Sequence, residues 1–520
     1  MWSNKIINKK DKNGQVPLYT IGSVLRVCSA VLCAMVMIGQ DAAFANDTSR
    51  QVNRVRKADQ LPIRQKKVAD DIEALKRMLP KKNSPTKLAK TEKITPTIID
   101  LPPQPSGTIN LIKDTPIKIG LAKFFRALGD VSTGKRNEPV TILHLGDEHI
   151  ARDKFTGDLR EMFQARFGNS GRGMTMPGPV FPFFRARGIR IASTGKWEVK
   201  NSLSGKKGEL FGLTGVTYTS SDPNASVQFN STGSPFAWAE ISFFTGPEYG
   251  RAIVWAQGPD GSHQQIIETN TLQYGMRRVR FPKTASSISV FPEGGKPITV
   301  MSWQSGHDKP GVRYVNLGVP GATVGFVQNL DAEFVQRDIQ SLKPSLIILN
   351  YGTNEGFDPI TDAKAYEKKF NQLVQIFKSL APEASVMVIG PPDAAFLPDF
   401  ARRSGSSSST CSALSKEEIR EYNTLMNNKS SRLARWHPPL NLDPVRRAMR
   451  RAAAGSAVYF WDWSQAMGGA CGIHAWVHAS PKKATDDHRA LTAEGGKESA
   501  KRLFNVLMAG FDAYRRIASR

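Results

Sequence analysis

Residues 140–168 read VTILHLGDEHIARDKFTGDLREMFQARFG, and their apolar pattern changes period at a Gly-Asp pair. The run VTILHL is continuously apolar, as a strand buried on both faces requires. Beyond Asp147, the residues Phe155, Leu159, Met162, Phe163 and Phe167 recur at helical spacing until Gly168 stops the pattern. The stretch therefore predicts a strand, a tight turn and a helix.

The same alternation returns towards the C-terminus. SLIILNYG (345–352) and SVMVIG (385–390) read as buried strands, separated by a helix whose apolar face holds Tyr366, Phe370, Leu373, Val374, Phe377 and Leu380. A Ser-rich loop at 404–409, helical segments, a strand AVYFWDW (457–463) and an amphipathic helix near 494–515 complete the series. Strands alternating with helices imply an α/β fold with a parallel sheet covered on both faces. Residues 190–310 differ in kind, with short alternating runs such as ASVQFNS, AWAEISFF, RAIVWAQ and SISVFP between Gly, Pro, Asn and Asp. They predict an inserted all-β, sandwich-like domain.

The 520 residues are 40% hydrophobic, enough for a sizeable core. The first 45 are set apart: Lys5, Lys9, Lys10 and Lys12 precede the apolar VCSAVLCAMVMIG (27–39), and AFA (43–45) offers a small-residue cleavage site. That pattern predicts a secretory signal peptide cut after Ala45 and a periplasmic or otherwise exported chain, the other reading being an uncleaved membrane anchor. Cys28 and Cys33 fall in this segment, which leaves Cys411 and Cys471 as an even pair suited to one disulfide in an oxidising compartment. Residues 46–116 are rich in Lys, Arg and Pro, with one weak helical patch at 68–79, and read as a flexible basic linker.

The formal charge is +25, and the first 45 residues hold five basic and two acidic groups, so +22 remains beyond them. Such a balance favours polyanionic neighbours, which outside the cytoplasm are anionic envelope polymers; export, despite the charge, makes nucleic acid an unexpected partner. Arg446, Arg447, Arg450 and Arg451 form a basic helical run expected to be a solvated face. Trp461, Trp463 and Trp476 flank Gly468 and Gly469 and could line a sugar cleft, with core packing the expectation for at least two of them.

In open α/β sheets, ligands bind beyond the carboxyl ends of the strands. Four stretches occupy such positions: Gly146 to His149, NLGVPGAT (316–323), YGTNEG (351–356) and DDHRALTAEGG (486–496). With YFWDWSQAMGGAC (459–471), these blocks, in this order and with the β-rich insertion between the first and second, resemble the SGNH (GDSL-like) hydrolase superfamily. Within it the chain looks most like periplasmic peptidoglycan O-acetylesterases. The implied boundaries are 117–189 and 311–520 for the two parts of the SGNH domain, with 190–310 inserted.

The resemblance implies an oxyanion hole built from the backbone N–H at position 148, a block-two Gly and a block-three Asn, here Gly321 and Asn354. It also implies a Ser nucleophile and an Asp-oriented His. The Ser position holds Glu148, the His position holds Ala490, and the Asp position holds Asp487. Ester cleavage by this route needs a hydroxyl whose proton is taken by an imidazole. Glu148 has no proton to give near neutral pH and Ala490 accepts none. Asp147 is expected to hold its turn through backbone hydrogen bonds, His149 to pack or hydrogen-bond, and His488 is an accessory candidate. A cation held by Asp147, Glu148 and Asp487 is a weaker reading than a structural one, and neither a metal nor a cofactor is assigned.

The expectation is an exported SGNH-like pseudoenzyme associated with peptidoglycan or another envelope glycan, and with a wall-modifying protein as a further candidate partner. Two alternatives stay open: an active ester hydrolase with unorthodox residues, and a structural or adhesive envelope protein acting through its basic linker.

Overall fold

A computed structural model describes residues 120–518 apart from 182–183, 204–209, 282–283 and 404–409. The expected signal peptide, the expected basic linker with its helical patch, and the Ser-rich loop therefore lie outside the described residues. Among the described residues, no helix is long and apolar enough to cross a membrane.

Five parallel strands form one sheet in the spatial order Val312–Gly318, Val140–Gly146, Pro344–Asn350, Ser385–Ile389, Tyr459–Trp461. Side chains alternate across a strand, and this sheet is apolar on both faces. Leu143, Leu145, Val315, Leu317, Ile347 and Leu349 point to one side, where Phe370, Val374, Val445 and Met449 from the helices Ala363–Leu380 and Leu442–Gly455 cover them. Ile142, Tyr314, Leu346 and Ile348 point to the other, against Phe124, Phe163, Leu503 and Phe511 of three further helices. Two-sided burial is why these strands read as unbroken apolar runs.

The β-rich part consists of two antiparallel sheets of six and five strands, spanning Gly173–Gly306. Its first strand, Gly173–Thr175, pairs with Ile298–Gly306 and precedes residue 190. Burial alternates along Arg251–Gly258 and Ser287–Pro292, as the period-two sequence requires. The two sheets share one apolar core, with Trp303 and Phe229 stacked at 5.3 Å, and that core is continuous with the face of the parallel sheet bearing Leu143 and Ile347. The chain is thus an α/β protein carrying an inserted β domain that shares the core of its host.

Register decides what comes next. Gly146 lies opposite both Gly318 and Asn350, so three strands end at one level and release their loops together. A side chain at Gly318 would run into the backbone of Ala151 and Asp147, which keeps this crossing tight.

Candidate active site

Glu148 opens the short helix Glu148–Ala151 directly beyond the first strand. Asp147 caps it, its Oδ1 accepting from the His149 N–H at 3.0 Å. The helix is anchored from below by a buried ion cluster. Asp153 accepts from Arg160 at 2.9 Å and from Arg172 at 3.0 Å; Arg172 in turn donates to Asn316, whose amide donates to the Ile150 carbonyl. Burial opposes charge on Asp153, but the two guanidiniums outweigh it and hold that carboxyl well below the usual range.

The Glu148 carboxylate is largely enclosed. Its Oε2 accepts from the Gly321 N–H at 3.4 Å and from the Asn354 amide at 3.2 Å, and its Oε1 accepts from Arg489 at 2.8 Å. Arg489 also donates to the Asn354 carbonyl oxygen at 2.8 Å and lies over the Phe357 ring at 4.4 Å. The three strand-end loops and the loop before the last helix thus converge on one charge pair. Gly321 has φ +82, a left-handed conformation that suits glycine and turns its N–H towards the carboxylate.

Electrostatics follow from this geometry. Burial pushes the Glu148 carboxyl up, yet Arg489, the neighbouring His149 and the N–H donors prevail and hold it at about 2. It is therefore ionised throughout the physiological range. Burial, reinforced by the Glu148 charge, drives Asp147 well above its ordinary value. Burial depresses His149 to about 4, so its ring is neutral, and it packs edge-on against Trp463 with centroids 5.6 Å apart. Glu355, next to Asn354, is fully enclosed; burial raises it to about 7 while its Oε1 accepts from the Val324 N–H at 2.6 Å.

Asp487 orients no histidine. Its Oδ1 accepts from Thr485 Oγ1 at 2.6 Å, Arg489 N–H at 2.9 Å and Ala490 N–H at 3.0 Å, and these bonds overcome burial to lower its pKa. Ala490 is buried, offering only a methyl. The His488 ring stacks on Trp436 at 3.6 Å and meets the His474 ring through a 2.8 Å N···N contact. Among the described residues, Asp147, Glu148 and Asp487 do not come together as a cation site; the group with suitable geometry is His474, His478 and His488.

Cys411 and Cys471 form a disulfide with Cα atoms 5.7 Å apart. Trp461, Trp463 and Trp476 are all buried, so they build the core and line no open cleft. The basic helical run departs from a plain solvated face: Arg446 is buried, Arg451 pairs with Glu367 at 2.7 Å, and Arg447 and Arg450 pair with Asp443 and Asp462. Arg489 is the site residue that sequence reasoning missed. Its signal was present as a new cation beside Ala490, matching the new anion at 148.

A separate cleft of about 440 Å³ involves Thr141, Arg313, Trp238 and Arg280. It lies at the amino ends of the strands, opposite the end where such sheets hold ligands.

Residues 293–502 match the family described as GDSL-like Lipase/Acylhydrolase, a span holding Gly321, Asn354, Asp487 and Ala490 but not Glu148. Among solved structures, a peptidoglycan O-acetylesterase shares the fold at 22% identity and a TM-score of 0.59, over 75% of this chain and 96% of that one. An acetyl xylan esterase aligns at 15% identity and a TM-score of 0.24, over 37% of this chain and 80% of that one. A family two carbohydrate esterase from Cellvibrio japonicus aligns at 12% identity and a TM-score of 0.24, over 66% and 99%. Comparison with curated proteins gives no match.

Proposed function

On the premise that residues 293–502 carry a GDSL-like lipase/acylhydrolase domain, we propose that this protein is an exported relative of peptidoglycan O-acetylesterases that binds envelope glycan without cleaving its esters. One observation carries the proposal: the Glu148 carboxylate occupies the donors of Gly321 and Asn354 and is locked there by Arg489. Oxyanion donors accelerate acyl transfer because they wait, preorganised, for charge that develops in the transition state. Here a permanent anion already holds them. Glu148 is also a poor nucleophile, since one oxygen is paired with a guanidinium and the other with two N–H donors. No imidazole stands at 490 to activate water. Loss of either Ser or His from such a triad typically costs about 10⁶ in kcat.

The fold shared with a peptidoglycan O-acetylesterase supports this ligand class, and the positive charge of the chain suits anionic wall and envelope polymers. The N-terminal apolar segment supports export.

The test measures acetate release from O-acetylated peptidoglycan, together with co-sedimentation on insoluble peptidoglycan. The native chain is expected to bind without releasing acetate above background. Glu148→Ser/Ala490→His, with Arg489→Ala added to clear the vacated pocket, is expected to gain hydrolysis. Turnover by the native protein that Glu148→Ala abolishes would instead establish an active hydrolase with unorthodox residues.

A further inference from the structure

Outside the Glu148 pair, three imidazoles converge: His474, His478 and His488. His474 sits on the helix Gly472–Val477, and His478 caps its C-terminus with its N–H on the His474 carbonyl. Four-residue spacing puts both rings on one side of the turn, with centroids 4.6 Å apart. His488 enters from the loop that precedes the last helix. One nitrogen from each ring lies within 4.8 Å of the others.

We propose that His474, His478 and His488 form a binding site for one divalent transition-metal ion of the zinc class. Imidazole nitrogens bind Zn²⁺ at about 2.0–2.1 Å, which places tetrahedral ligands roughly 3.3 Å apart. His474 Nδ1 and His488 Nε2 are 2.8 Å apart. They need part by only about half an ångström to admit an ion. His478 is exposed and closes the remaining distance by side-chain rotation, leaving the fourth position open to water.

The surroundings orient the ligands as metal sites do. His488 Nδ1 donates to the Asp486 carbonyl at 3.1 Å, which leaves the lone pair on Nε2, the atom facing His474. Trp436 stacks on the His488 ring and fixes its plane. The His488 backbone is left-handed at φ +54, a conformation rare for a residue with a side chain, and is held by its N–H on Thr485 and by Ala395 on its carbonyl. Cys471 precedes the helix that carries His474, and its disulfide joins it to Cys411, which is bridged to Trp436. Helix and stacking platform are thus joined, through the disulfide and a hydrogen-bonded bridge, before any ion arrives. An ion on His488 would hold the loop one residue from Arg489, and so steady the charge pair with Glu148.

The experiment uses the full chain without an affinity tag, stripped with chelator, then titrated with zinc chloride or cobalt chloride. Equilibrium dialysis is expected to give one zinc per chain, the thermal midpoint to rise with zinc, and cobalt to develop the visible absorption of a four-coordinate site. His478→Gln changes an exposed side chain, so the protein should fold as before; it is expected to bind zinc at least about tenfold more weakly, since even outer partners of a metal site are worth 10–100-fold. His474→Gln/His478→Gln should abolish the cobalt bands. Zinc affinity unchanged in both variants, or native protein that gives no cobalt bands, would overturn the site and leave a hydrogen-bonded histidine cluster.

Discussion

Glu148 and Arg489 each become a stranded charge when the other is removed. The carboxylate side chain is 13% exposed and the guanidinium 36%, so the pair is neither fully buried nor a surface bridge. Glu148→Gln keeps the shape but removes the charge, and should cost about 2 kcal/mol near pH 7 after allowance for solvent screening of Arg489. The folded pKa of Glu148 lies below its ordinary value, so its stabilisation is full above about 4.5 and is lost as pH falls towards 2. Denaturant midpoints of the native and Glu148→Gln proteins should therefore differ at pH 7 and converge near pH 2. A double-mutant cycle with Arg489→Met measures the coupling directly. Glu148 at the end of the first strand was legible in the sequence. Its partner, 341 residues away, was not, because pairing at that separation is set by strand register.

At the scale of elements, three loops beyond strand ends and one before the last helix were recognisable in the sequence. The structure adds that they meet. Gly146, Gly318 and Asn350 share a level, so the loops that follow reach one another. In the loop at 485–490, Asp487 binds its own loop backbone, and the His488 ring contacts His474. Both facts depend on backbone conformation, including the left-handed φ of His488, which the sequence pattern does not encode. The disulfide anchors this region by closing a separation of 60 residues. Cys411→Ser/Cys471→Ser is expected to lose roughly 2–4 kcal/mol, read as a lowered thermal midpoint, through regained freedom of the unfolded chain. The folded variant should retain the Glu148–Arg489 pair.

Across the described residues, one apolar core joins the β-rich insertion to a face of the parallel sheet. The two parts should therefore unfold together. Far-ultraviolet dichroism and tryptophan fluorescence are expected to give coincident thermal transitions; separate transitions would mean that the insertion folds alone. Trp303, fully buried and donating to the Pro177 carbonyl at 2.8 Å, lies within this joint core. Trp303→Ala should cost about 3–5 kcal/mol and lower both signals at once.

By itself the sequence determined the alternation of strands and helices, the β-rich interruption, and the residues at 148, 321, 354, 487 and 490, because periodicity and residue chemistry are local properties. Only the tertiary structure decided that the Glu148 carboxylate accepts from Gly321 and Asn354, that Arg489 holds it there, and that three histidines from two segments share one small volume. Those are distances between residues far apart in the chain, set by sheet register and loop conformation.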